Sequence, residues 1–83
     1  MKCNSVTWWM REMGNKNAYR GWELLDVKQG DRRITRAKMC ASKRQMFQGT
    51  VLEIAYTDSP DVKPAWDDAP FFWKEHGRWH RTK

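Results

Sequence analysis

The sequence predicts an α+β fold: one short helix packed on an antiparallel β-sheet, preceded by an N-terminal extension. Three observations lead there. Ala37, Cys40 and Ala41 recur at helical spacing among basic residues. Thr50, Leu52, Ile54 and Tyr56 alternate with Val51, Glu53 and Ala55, the period of a strand. His76-Gly77 separates two aromatic-rich runs, as a tight hairpin turn needing positive φ would. The expected division is an extension over residues 1–17 and a single small domain over 18–83.

The first segment has two readings. Val6 to Met13 fits a short helix with Ser5 as N-cap and Gly14 just past its end. It fits a strand equally well, since Val, Thr and Trp favour sheets. Gly14-Asn15-Lys16-Asn17 is a turn in either case. Arg20 to Lys28 reads as a strand with both faces partly covered, and Gln29-Gly30-Asp31 ends it. The helix is expected to start at Thr35 as N-cap, with Ile34 and Met39 stapling its first turn. At 100° per residue, the small stripe Ala37, Cys40 and Ala41 lets the helix sit close to a sheet. Lys38, Ser42 and Gln45 line one flank of that stripe. Arg36 and Lys43 line the other, with Met39 on the exposed side.

The strand after the helix is expected over Phe47 to Tyr56, with Gly49 marking a bulge or a close backbone approach. Thr57 to Pro70 holds all three prolines and four acids (Asp58, Asp61, Asp67, Asp68) and reads as a long loop, either mobile or folded over the sheet through Trp66. In the terminal hairpin, Phe72 and Trp79 should share one face, and Trp73 and His80 the other.

Composition narrows the function. A chain of 83 residues buries only about 60% of the surface it exposes when unfolded. Six Trp, three Phe and two Tyr supply core material, but six Trp is many for such a core, so one or two should be partly exposed. The net charge of +6 favours nucleic acid, an anionic membrane or an acidic protein surface, and argues against a protein that mimics DNA. No apolar run reaches the roughly 18 residues of a membrane span, and Met1 to Ser5 does not lead into a signal-peptide core. A soluble, cytoplasmic protein is expected.

Catalysis and cofactors are not expected. His76 and His80 are spaced H-x3-H, but no CxxC accompanies them, and Cys3 and Cys40 match no metal or redox spacing. Solvated histidines and free thiols are the simpler readings. The acids of the proline-rich loop lack anything to raise a pKa or hold geometry. The basic cluster is the stronger signal. Arg32, Arg33, Arg36, Lys38, Lys43 and Arg44 lie within one short stretch that contains no acid, and Lys74, Arg78, Arg81 and Lys83 form a second group. Like charges within helical reach cost a few tenths of a kcal/mol per pair, which a phosphate or acidic partner would offset.

The run Ala37-Lys38, Ala41-Ser42-Lys43, Gln45, Phe47, Gly49-Thr50-Val51 and Ile54, continued at Lys74-Glu75, Gly77 and Trp79, resembles a family. It is similar to the small phage-encoded anti-CRISPR inhibitors of the type I-F surveillance complex that bind its backbone subunits. The similarity spans roughly residues 20–81 and is dense only over 37–54. It implies an α+β fold, binding to the backbone subunits in the host bacterial cytoplasm, and competition with target-strand hybridisation to the guide. It also implies that the complex can be made to hold duplex DNA non-specifically. Family contact residues fall on the helix and just after it, which here selects Lys38, Lys43 and Gln45, with Arg36 and Arg44 in support. Met39 stands where the family has a basic residue. Residues 1–17 have no counterpart, the proline-rich loop is longer, and the span from Lys74 to Trp79 is one residue shorter. Two other functions fit the same residues: a small basic phage regulator that binds nucleic acid directly, and an inhibitor of another host defence enzyme built on the same scaffold.

Overall fold

A computed structural model of the chain describes residues 6–14, 21–25, 33–47 and 49–82. One helix, α1 (Ile34–Arg44), packs on a five-stranded antiparallel sheet of β1 (Thr7–Met13), β2 (Glu23–Leu24), β3 (Val51–Thr57), β4 (Phe72–Glu75) and β5 (Arg78–Arg81). The spatial order is β2-β1-β3-β4-β5. The α+β expectation therefore holds.

The open choice at the N-terminus resolves to a strand. β1 pairs with β3 along its whole length, from Thr7 opposite Thr57 to Met13 opposite Val51. Its alternation explains why: Trp8 and Met10 face the helix with Leu52 and Ile54, while Trp9 joins Trp22 and Ala55 on the other face. The described part of residues 1–17 is thus an inner strand that supplies core. A boundary at residue 17 would cut through the sheet. Residues 1–5 and 15–17, including the Ser5 cap and most of the expected turn, lie outside the described residues.

Among the described residues of the expected strand Arg20–Lys28, Glu23 and Leu24 are strand, paired with Met10 and Trp9. Arg20, 26–28 and the turn at 29–31 fall outside the described residues. α1 starts two residues earlier than expected. Arg33 is its N-cap, with no side-chain cap bond, and Thr35 lies inside the helix. The staple is absent because Ile34 turns onto the core while Met39 points to solvent. The small stripe is as expected: Ala37 and Ala41 are completely buried, and Cys40 packs beside them.

β3 begins at Val51, four residues later than expected. The described residues 45–47, 49 and 50 lie outside any strand, because the Glu12 carboxylate takes the N–H groups of Met46 and Phe47 that a ladder would need. Gly49 sits at φ 77°, with nothing within 4 Å of where a Cβ would be, so it serves a turn and makes no close approach.

The proline-rich loop crosses the sheet face opposite the helix. Trp66 is involved chiefly through its backbone: Arg11, on β1, donates to the Trp66 carbonyl at 2.8 Å and to that of Asp68 at 3.4 Å. The Trp22 indole donates to Ala65 O at 3.2 Å. The hairpin matches expectation. His76 and Gly77 both have positive φ, as a type I′ turn requires. Phe72 and Trp79 pack on the helix-side core, and Trp73 stacks on His80 with centroids 4.3 Å apart on the opposite face. Among the tryptophans, Trp8, Trp9 and Trp22 are buried, Trp73 and Trp79 half-buried, and Trp66 exposed, so three are at least partly exposed, one more than expected.

Candidate partner-binding face

The five residues selected from sequence do not form one patch. Lys43 and Arg36 are exposed on the outer side of α1, flanking Met39. Lys38 is on the opposite flank, half-buried, with Nζ 5.0 Å from the Phe72 ring centre and 5.6 Å from that of Trp79. An ammonium over an aromatic face is held by the ring quadrupole, so Lys38 ties the helix to the β4–β5 hairpin. Arg44 Nη1 donates to the Leu24 carbonyl at 2.6 Å, which ties the last helical turn to β2. Gln45 Nε2 donates to Thr50 Oγ1 at 3.0 Å and to Phe47 O at 3.3 Å, closing the loop on itself.

That loop has a deeper anchor. Glu12, buried at the end of β1, accepts Met46 N–H through Oε2 and Phe47 N–H through Oε1, each at 2.9 Å. Thr50 Oγ1 lies 3.2 Å from Oε1. Two adjacent backbone donors satisfy lone pairs on both carboxylate oxygens, and charge-assisted bonds of this kind are about twice as strong as neutral ones. The segment after the helix is thereby fixed to the centre of the sheet. It presents Met46, 61% exposed, and Phe47, 36% exposed, to solvent. Met39, beside Arg36 on the outer side of the helix, is 56% exposed. Sequence reasoning missed Met46 and Phe47 by assigning Phe47 to a strand. The available signal was the turn-forming Gly49 between them and the β3 alternation.

Beside this segment an open groove of about 610 Å³ runs to the hairpin turn, lined by Ser42, Gln45, Phe47, Thr50, Lys74 and His76 among others. Lys74 Nζ donates to Ser42 Oγ across it at 3.3 Å. The second basic group is therefore divided too: Lys74 bridges to the helix, while Arg78 and Arg81 are exposed on β5.

Residues considered for chemistry have other contacts. His80 stacks on Trp73, and His76 Nε2 lies 3.7 Å from Glu75 Oε2 at the turn. Asp68 Oδ2 accepts Ala65 N–H at 3.0 Å, shaping the loop. Among the described residues no group of three or more His, Cys, Asp or Glu is placed to hold a metal ion, and no helix is long and apolar enough to cross a membrane. Cys3 lies outside the described residues. Scans against family models, curated proteins and solved structures return no match to this chain.

Proposed function

We propose that this chain is a non-enzymatic phage inhibitor that binds the backbone subunits of a type I CRISPR–Cas surveillance complex and blocks target-strand hybridisation. The observation that carries the reading is the mixed character of the α1 face. Arg36 and Lys43 stand beside exposed Met39, and Met46 and Phe47 follow at the helix end. A surface for bare duplex would need cations alone, since phosphate contacts supply most non-specific affinity. A protein surface can offer carboxylate or carbonyl acceptors for Arg36 and Lys43 and apolar walls beside them. Flexible, polarisable methionine suits such a wall. The similarity of residues 37–54 to the anti-CRISPR family supports the same face.

In this mechanism Lys43 and Arg36 meet carboxylate or carbonyl acceptors on the backbone subunits beside the path of the target strand, and Met39, Met46 and Phe47 seat the contact. Lys38, Arg44 and Gln45 act indirectly, by holding the helix and the loop in place. Inhibition is steric and electrostatic. The basic surface left outside the contact then holds duplex against the complex.

A tagged protein added to lysate of a phage-susceptible host, with captured proteins identified by mass spectrometry, tests this. Recovery of a type I surveillance complex, and loss of guide–target hybridisation when purified complex is pre-incubated with the protein, are the expected results. Capture of a different defence enzyme would overturn the target assignment.

A second reading, direct nucleic-acid binding, draws on the exposed His80 stacked on Trp73 beside Arg78, since stacked aromatics among cations suit single strands. Tight, salt-sensitive binding of DNA or RNA by the isolated protein in a mobility shift would favour it over the first.

A further inference from the structure

Among the described residues, the two edges of the sheet are unequal. β2 has two residues, and its Leu24 carbonyl is taken by Arg44. β5 forms the other edge with four residues, Arg78–Arg81. Its register fixes which backbone groups look outward. In a two-residue hairpin the residues flanking the turn, here Glu75 and Arg78, exchange hydrogen bonds, and bonded pairs alternate with non-bonded ones. Trp73–His80 is then the next bonded pair. The Thr82 N–H to Phe71 carbonyl bond, at 3.1 Å, continues the alternation. Trp79 and Arg81 occupy the positions between, so their N–H and C=O groups point away from β4. Such a row on an edge strand is a template for a further strand.

We propose that the β5 edge accepts an extended acidic segment of a partner protein as a sixth strand. Charge selects this occupant. Arg78, His80 and Arg81 are exposed along the edge, while the hairpin's one acid, Glu75, lies a strand inward. A second copy adding its own β5 would set arginine against arginine, and like charges directly opposite destabilise a ladder. A nucleic acid has no alternating N–H and C=O groups to offer. The side chains of β5 alternate, with Arg78 and His80 on one face and Trp79 and Arg81 on the other, so carboxylates on either face of an incoming strand meet a basic neighbour. Main-chain bonds then supply affinity and the arginines supply selectivity. This surface is separate from the α1 face and does not depend on the function proposed for it.

The test uses the whole protein and a labelled eight-residue peptide alternating Glu with Thr and Val. Binding is followed by anisotropy, and amide exchange by NMR. Saturating peptide should slow exchange of the Trp79 and Arg81 amides about tenfold or more, and leave Arg78 and His80, already in the ladder, little changed. Arg81→Pro removes one outward N–H and no ladder bond, a substitution that edge strands tolerate. It should unfold at nearly the parent temperature and bind the peptide about tenfold more weakly. If Arg81→Pro fails to fold, the Arg78→Glu/Arg81→Glu variant carries the test by losing the peptide. Unchanged exchange at Trp79 and Arg81 in the bound state, equal affinity for a peptide with Lys in place of Glu, or full affinity in the charge-reversed variant would each overturn the proposal. Protection of those two amides by raising protein concentration alone would assign the edge to a second copy instead.

Discussion

Arg11 and Glu53 face each other across β1 and β3, with Nε 2.6 Å from Oε1 and both side chains largely removed from water. The guanidinium also lies 4.2 Å over the Trp22 ring and 5.4 Å from that of Trp66, while its remaining nitrogens hold the loop carbonyls. One arginine therefore joins two strands and the proline-rich loop. A buried pair of this kind contributes little against an apolar replacement, but removing one partner strands the other. Arg11→Met should cost about 3–5 kcal/mol in urea unfolding. Arg11→Met combined with Glu53→Leu should recover most of that loss. If the double variant were as unstable as the single, the loop carbonyls rather than the ion pair would carry the energy.

The Glu12 anchor makes a different prediction. Glu12→Gln keeps the shape but turns one acceptor oxygen into a donor that faces a backbone N–H. The cost should be about 1–3 kcal/mol, the penalty of an unsatisfied buried group. Because the carboxylate holds Met46 and Phe47, their amides should exchange faster in Glu12→Gln than the amides of β4 do. Uniform acceleration across the sheet would instead mean that Glu12 stabilises the whole fold with no local role.

These two residues show what the sequence hides. Period-two alternation identified β3, the hairpin and its two faces, and helical spacing identified the Ala37–Ala41 stripe, because each is a local pattern set by burial. Arg11 and Glu12 are charged residues inside a strand whose partners lie 42 and 34 to 38 positions away. No local pattern marks such a pair, and two consecutive charges argue against an inner strand until their partners are known. The helix start was misplaced for a similar reason: Ile34 gains more from the core than from a staple with Met39, and only the tertiary contact decides that. In the candidate site, the helical wheel separated Lys38 from Lys43, but Gln45, which it set beside Lys38, is the C-cap and lies outside the helix. It could not show that Lys38 and Gln45 are used within the fold.

The hairpin turn offers a backbone test. Gly77 has φ 76° and open space where a Cβ would sit, so Gly77→Ala meets no neighbour and its cost is conformational alone. A left-handed residue with a side chain costs roughly 1–2 kcal/mol. Gly77→Asn should cost less, since Asn tolerates that region better. Thermal unfolding of the two variants checks the order; equal stability of Ala and parent would mean that the turn relaxes to another type.

Lys43 and Gln45 separate contact from support. The proposed function would use both at the partner, yet Gln45 spends its amide nitrogen on Thr50 and Phe47 while Lys43 projects to solvent. Lys43→Glu should leave stability within about 0.5 kcal/mol of the parent, as surface substitutions do. Under the proposed function it should abolish capture of the surveillance complex, because a carboxylate then faces the acceptors that the ammonium would meet. Gln45→Ala should cost about 1 kcal/mol of stability through the lost loop bond, and weaken capture only as far as the loop loosens. Exchange rates at Phe47 and capture should then move together across a series at position 45, and independently at position 43. A Lys43→Glu variant that folds and captures the complex like the parent would remove the outer face of α1 from the interface.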